Sequence, residues 1–444
     1  MSAKIKISDH FTYSKLFRFV LPSILMMVFT SIYSVVDGYF VSNYTGKTPF
    51  AAINLIWPFI NLLSGVGFML GTGGSALVSM VLGQGDDERA NRYFSMVLEF
   101  LLVLSAIMVA LGHLLLPAVA RALGASDAMM PYCLLYARIL ITFLPAVMLQ
   151  LVFQSLLVTA ERPQLGFIVT LLAGFTNMIL DWLFVAVLGF GIAGAAWATI
   201  LSQCAGGLVP LIYFILPNSS LLRFRPTRLD LPVLLKACGN GASELMSNIS
   251  GSIVSMAYNA QLLRFAGENG VAAYGVVMYV CFIFIAIFVG YSVGTTPVVG
   301  YHYGAGHHDE MHNLLTKSLK IMAVFGVCML ALSYVLARPL ALLYVGYDET
   351  LCEITENGFH IFSFSFLLSG VNIFLSSFFT ALNNGAVSAA ISFLRTLVFE
   401  LASVMILPLI FGVNGIWCAV AVAEVCAVTV SLFFLKKYQA KYGY

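Results

Sequence analysis

Residues 71–91 read GTGGSALVSMVLGQGDDERAN, and residues 289–306 read VGYSVGTTPVVGYHYGAG. Placed 221 positions apart, the two stretches coincide at Gly73 and Gly294, and the turn Gly83-Gln84-Gly85 falls on Gly304-Ala305-Gly306. The same offset pairs Lys15 with Lys236, Ser34 with Ser255, Gly46 with Gly267, and Ala51–Ala52 with Ala272–Ala273. Further along it pairs Thr159–Ala160 with Thr380–Ala381, Phe190–Gly191 with Phe411–Gly412, and Gly194 with Gly415. One offset that needs no insertions over nearly the whole chain, and that falls repeatedly on turn glycines, is an internal duplication.

What is duplicated is a membrane-embedded unit. The 444 residues are 60% hydrophobic and only 9% charged, and the mean hydropathy is +0.95. A soluble domain carries about 25% charged residues; this chain has too little polar surface to face water. A net charge of +2 offers no basic field for nucleic acid. Eight scattered cysteines form no CxxC pair, which argues against a redox motif or zinc site and for small apolar packing. Lys4, Lys6, Lys15 and Arg18 precede the first apolar run and imitate a signal peptide. No small-residue cleavage site closes that run, so it is expected to persist as the first span.

A membrane helix needs about 20 mainly apolar residues. Such runs occur at Phe17–Val41, Phe50–Val81, Phe94–Val119, Tyr132–Val158, Gly166–Leu188 and Ile192–Leu216, and again at Gly239–Phe265, Val271–Val299, Leu315–Leu336, Phe359–Leu382, Val387–Phe411 and Gly415–Leu435. They are too long and continuous for barrel strands. The expected fold is therefore all-α and polytopic, with twelve transmembrane helices in two six-helix lobes. Residues 1–216 make the first lobe, the polar stretch 217–236 a linker, and 237–444 the second lobe. Six spans per half insert both halves the same way up, so the pseudo-twofold axis runs along the membrane normal, a geometry suited to alternating access.

Loop charge sets the orientation. With the N-terminus inside, the inner segments hold Lys4, Lys6, Lys15, Arg18, Arg89, Arg92, Arg162, Arg223, Arg225, Arg228, Lys236, Lys317, Lys320, Lys436, Lys437 and Lys441. The outer ones hold mainly Lys47, Arg121, Arg264 and Arg338. That bias places both termini in the cytoplasm of a cell-membrane protein.

A charge at mid-membrane costs about 2.5–3.5 kcal/mol on insertion scales, so each one requires an account. Asp37 lies in the apolar first span. Asp181 lies in the fifth, with Asn177 one turn earlier on the same helix face. Carboxylate and carboxamide oxygens suit a hard cation such as sodium, and two carboxylates taken out of water resist being charged together, which invites a proton. The offset matches Asp37 with Tyr258 and Asp181 with Ala402, so a cation site belongs to the first lobe. The second lobe has its own polar set of Glu244, Asn259, Arg395, Glu400 and Glu424, where Arg395 either pairs with a glutamate or meets substrate. His302, His307, His308 and His312 read as an exposed inner loop rather than a metal site, because the matching loop holds Asp86, Asp87 and Glu88. Pro22, Pro145, Pro297 and Pro408 each remove a backbone donor and permit a bend.

The stretches 71–91 and 289–306 resemble the signature segments of the multidrug and toxic-compound extrusion (MATE) family, and the likeness covers span number and duplication. Asp37 in the first span with Asn177 and Asp181 in the fifth resembles the DinF-like branch. The tenth span lacks the acidic residue associated with the NorM-like branch. The resemblance implies a cation site of Asp37, Asn177, Asp181 and Thr199, coupling to H+ or Na+, with Na+ held by Asp37, Asn177 and Asp181. It also implies Pro22 and Tyr33 beside Asp37 and Gln154 on the fourth span; Asn259 and Arg395 complete the expected substrate cleft. The implied activity is export of small lipophilic, often cationic, organic compounds by antiport, with no cofactor, no nucleic acid and a monomer in the bilayer. A flippase for lipid or lipid-linked oligosaccharide is the rival, disfavoured because only Arg395 and Arg138 lie within spans. A membrane enzyme is disfavoured because no HExxH or GxSxG constellation occurs.

Overall fold

Three glycine pairs of the repeat carry the turns. Gly46 and Gly267 (φ +89° and +64°), Gly85 and Gly306 (+78° and +70°), and Gly191 and Gly412 (+57° and +59°) all occupy the left-handed half of backbone space, where a Cβ is strained. The computed structural model describes residues 5–346 and 348–444; Lys4, counted above among the basic residues, lies outside them. Among the described residues every regular element is helical.

In the first lobe α1 is Tyr13–Tyr44, α2 Lys47–Gly83 and α3 Asp87–Ala122. Helices α4 (Met130–Thr142) and α5 (Leu144–Thr159) are bent by 59° at Phe143, where Pro145 in the first turn of α5 needs no donor of its own. Helix α6 (Pro163–Asp181) runs into a π-helical turn at Trp182–Val187, and α7 is Gly191–Ile215. In the second lobe α8 is Leu231–Gly304, α9 His308–Val345, α10 Glu349–Phe362 and α11 Phe366–Ala381. There follow α12 (Gly385–Phe393), a π-helical turn at Leu394–Glu400, α13 (Leu401–Ile406), α14 (Pro408–Phe411) and α15 (Val413–Tyr442).

Helix α8 is two spans. Tyr258 and Tyr274 stack with centroids 5.0 Å apart, whereas sixteen residues of straight helix would separate them by about 24 Å. The chain folds back at Gly267, the counterpart of the Gly46 turn between α1 and α2. With α4–α5 counted as one bent span and α8 as two, the described residues provide twelve spans, six per lobe. Phe11 at one end of the chain and Tyr442 at the other both contact the start of α9, so the termini share a face. Large aliphatic side chains such as Leu114, Val335 and Leu343 stand on the outside of the bundle, more than two-thirds exposed, as a lipid-facing surface requires.

Helix α8 begins at Leu231, inside the stretch read as linker. The preceding extended chain lies along α3, where backbone N–H groups of Arg223, Arg225 and Thr227 donate to Asn91 Oδ1 (2.5 Å), Ser95 Oγ (2.7 Å) and Glu99 Oε1 (3.1 Å). Acceptors four residues apart form one stripe of α3, matched to alternate donors of an extended strand.

The lobes meet near the terminal face through glycines. A Cβ on Gly83 would strike the carbonyl of Tyr301, and one on its repeat partner Gly304 would strike that of Met80. A Cβ on Gly290 would lie 2.6 Å from Ile24 Cα, and one on Gly294 2.9 Å from Val20 Cβ, so α8 takes α1 and α2 backbone to backbone. Gly304→Val is expected to force this seam apart, at the cost of about 1–3 kcal/mol typical of overpacking, read as a lower melting midpoint in detergent. Gly239→Ala, whose Cβ would meet nothing within 4 Å, should leave the midpoint unchanged.

Candidate functional site

Gly174 decides how closely α1 approaches α6: a Cβ there would collide with the Phe29 ring and lie 2.9 Å from Tyr33. With those helices pressed together, Asp37 on α1 faces Asp181 and Asn177 on α6. Asp181 is fully buried and Asn177 nearly so. Asp181 is the last residue before the π-helical turn Trp182–Val187, where the helical register, and with it side-chain direction, changes; such turns concentrate at functional sites. Thr199 on α7 joins the group through Tyr136, which faces both it and the two aspartates. The structure therefore brings together Asp37, Asn177, Asp181 and Thr199, from three helices of one lobe.

Five oxygens of this cluster are out of reach of water and poorly satisfied. Asp37 Oδ1, Asn177 Oδ1, both carboxylate oxygens of Asp181, and Thr199 Oγ1 are all buried without a hydrogen-bond partner in the protein. Buried polar atoms are almost always paired, and an unpaired carboxylate in a dry site is costly. Five such oxygens in one place fit a hard cation or a proton, since both are held by oxygen donors.

Two flanking residues carry no sequence signal strong enough to single them out. Tyr136 on α4 is fully buried and faces Thr199 and both aspartates; in the sequence it is one aromatic among many. Gln150 on α5 faces the Tyr33 hydroxyl and packs against Gly206 of α7. It stands one turn from Gln154, which is also buried, and that i, i+4 pair of amides was its available signal. Tyr33 stands one turn before Asp37 on α1. Pro22 does not: fifteen residues of continuous helix put it about 22 Å along α1 from Asp37, close to the seam with α8. The helix does not break there, so helical rise alone carries it out of the cluster.

In the second lobe Arg395 Nη2 and Nε donate to Glu424 Oε1 at 2.6 and 2.9 Å. Glu424 also accepts from Ser369 Oγ (2.8 Å) and Asn372 Nδ2 (2.7 Å). Of the two readings open for Arg395, pairing with a glutamate is the one the geometry displays, and its guanidinium is engaged. Glu400 stands in the field of Arg395 and Glu424 and beside the Tyr258 hydroxyl. Asn259 is exposed and, with Glu268, lines an open crevice of about 480 Å³ beside the Gly267 turn. His307, His308 and His312 are exposed, and the reading of an exposed loop needs correction only at His302. His302 is 2% exposed, with its Nδ1 3.1 Å from His307 Nδ1, and His308 bonds the Tyr442 carbonyl at 3.0 Å. The ends of α8 and α9 are covered by both chain termini, which residue types alone do not reveal. No group of three or more metal-ligating side chains occurs among the described residues.

The MatE family model matches residues 22–183 and 245–406, one stretch in each half. The chain is 22% identical over 426 residues to the multidrug export protein MepA of Staphylococcus saprophyticus, covering 94% of this chain and 92% of that one. It is 25% identical to the probable multidrug resistance protein YoeA of Bacillus subtilis, covering 79% and 77%. A structure described as the outward-facing conformation of a multidrug resistance MATE family transporter superposes with a TM-score of 0.93 at 21% identity, covering 100% of this chain and 99% of that one. At that identity the superposition speaks for the fold.

Proposed function

The chain belongs to the MatE family, and on that premise we propose that it is an antiporter that expels small organic, often cationic, compounds in exchange for H+ or Na+ taken up at Asp37, Asn177, Asp181 and Thr199. The carrying observation is the set of five buried, unpartnered oxygens in the first lobe. Relatives named as multidrug export and resistance proteins support the substrate class. The chain is a transporter, not an enzyme.

An ion drives a conformational change only if it binds one state more tightly than another. The cluster supplies such a difference because its oxygens come from separate helices. An ion held between α1 and α6–α7 ties these helices together, and without it two carboxylates oppose that packing. Substrate enters from the face bearing the termini, which the loop charges assign to the cytoplasm, and leaves when the lobes part on the opposite face. Ion uptake from outside then favours the conformer that has no room for substrate, and the lobes rock back. Tyr33 and Tyr136 border the ion site, with Gln150 against Tyr33; in this mechanism they separate ion from substrate. Arg395 is tied to Glu424 and acts as structure; it offers no free cation for the pyrophosphate-linked lipids a flippase would carry.

The test is efflux of a fluorescent cationic dye from proteoliposomes under separately imposed gradients. A proton or sodium gradient of the right sign should accelerate efflux. Equal rates with and without both gradients would rule out coupling.

A further inference from the structure

The duplication puts two related crevices on the terminal face, and only one is filled by the chain itself. The filled one lies between the end of α8, the start of α9 and the start of α1. Residues 5–12 occupy it: Ile7 and Phe11 are at most 1% exposed. Phe11 N donates to Glu310 Oε1 at 2.9 Å, and Asn313 Nδ2 and Lys317 Nζ donate to the Phe11 carbonyl at 3.0 and 2.6 Å. Asp9 supplies a carboxylate to Lys15 at 2.9 Å.

Its counterpart, 221 residues away in each element, lies between the end of α2, the start of α3 and the start of α8. There a cavity of about 370 Å³ remains, bordered by Gln84, Arg89, Tyr93 and Lys236 over a floor that includes Met80 and Val233. The substitutions between the two explain the difference. Arg89 stands where the filled crevice has Glu310, and Pro232, which lacks an N–H, stands where it has Phe11. No backbone donor and no acceptor carboxylate remain to hold a peptide. Residues 222–230 of the linker, which correspond to residues 1–9, are drawn away along α3 by Asn91, Ser95 and Glu99. Lys236 corresponds to Lys15 and Asp230 to Asp9, but Asp230 is exposed at the start of α8 and, unlike Asp9 with Lys15, makes no ion pair with Lys236, which has none among the described residues. Arg89 is held over the cavity by Gln84 Oε1 (2.6 Å) and by Asp86 Oδ2 (3.3 Å).

We propose that this cavity binds the phosphodiester headgroup of an anionic membrane lipid, between Arg89 and Lys236. In the filled crevice the chain provides both the apolar plug and the anion for the lysine. In the open one Pro232 cannot anchor a peptide and Asp230 does not pair with Lys236, so an occupant must bring both, and a phospholipid does. The site sits where apolar helices end and basic residues begin, the level of the headgroups, and a tyrosine at its rim is usual there. Basic pockets between membrane helices are recurrent headgroup sites. Because α2 and α3 belong to one lobe and α8 to the other, a bound lipid spans the seam and favours the conformer in which the terminal face is closed.

The experiment is native mass spectrometry of the purified full chain with phosphatidylglycerol or phosphatidylcholine of identical acyl chains. Phosphatidylglycerol should be retained preferentially, and Lys236→Gln should weaken its retention about fivefold, the loss of one basic contact at a membrane surface. Lys236 is exposed and makes no ion pair that folding needs, so this variant should keep the wild-type melting midpoint. Lys436→Gln, a lysine elsewhere on the same face, should change nothing. Equal retention of the two lipids, or retention unaffected by Lys236→Gln, would overturn the proposal. So would inorganic phosphate alone matching the stabilisation given by phosphatidylglycerol, since the ligand would then be a free anion.

Discussion

Asp181→Asn is expected to reduce gradient-driven efflux on the order of a hundredfold while the protein remains folded in the membrane, and Asp37→Asn to do nearly the same. An ion that swings a two-state carrier from about 1:99 to 99:1 must favour one state by about 10⁴. An amide keeps the volume of the side chain but can neither accept the proton nor neutralise sodium. Most of that bias should vanish, leaving slow, uncoupled exchange. Because the carboxylates share one site, the double variant should be little worse than either single one. Efflux of a cationic dye from cells, normalised to protein in the membrane, measures this. Wild-type efflux by both single variants would remove the first-lobe cluster from the mechanism.

The second large effect is on stability. Arg395→Ala leaves Glu424, 4% exposed, without its cation, and breaking a buried pair from one side typically costs about 3–5 kcal/mol. Glu424 would keep only Ser369 and Asn372, which carry no charge. Arg395→Met combined with Glu424→Gln removes both charges and should recover most of the loss. Melting midpoints of the single and double variants give the coupling directly. A double variant no more stable than Arg395→Ala would mean that Arg395 contributes through packing rather than through charge.

Much of the architecture can be read before folding is considered. A left-handed turn needs glycine, so Gly46 with Gly267, Gly85 with Gly306, and Gly191 with Gly412 mark equivalent corners in both lobes. Asn177 and Asp181 share a helix face by spacing alone. Other features depend on distances the sequence does not carry. Asp37 and Asp181 are far apart in the chain, and their meeting depends on Gly174 admitting the rings of α1. The π-helical turns after Asp181 and through Arg395 shift the register by one residue, which no periodicity shows. The choice of Glu424 over Glu400 for Arg395 is made by Ser369 and Asn372, which prepare one carboxylate and not the other. Tyr136 and Gln150 acquire meaning only from what they face. Helices such as α9 outrun the apolar spans inferred for them because polar residues continue a helix beyond the hydrocarbon.

In the proposed mechanism ion and substrate exclude one another through the first-lobe carboxylates. Adding a transported cationic dye to purified protein in weakly buffered detergent, with sodium tracked in parallel, tests it most directly. The dye is expected to displace protons or sodium from the wild-type protein, and Asp37→Asn/Asp181→Asn to abolish this release. Dye binding without ion release in the wild type, or undiminished release from the double variant, would contradict it.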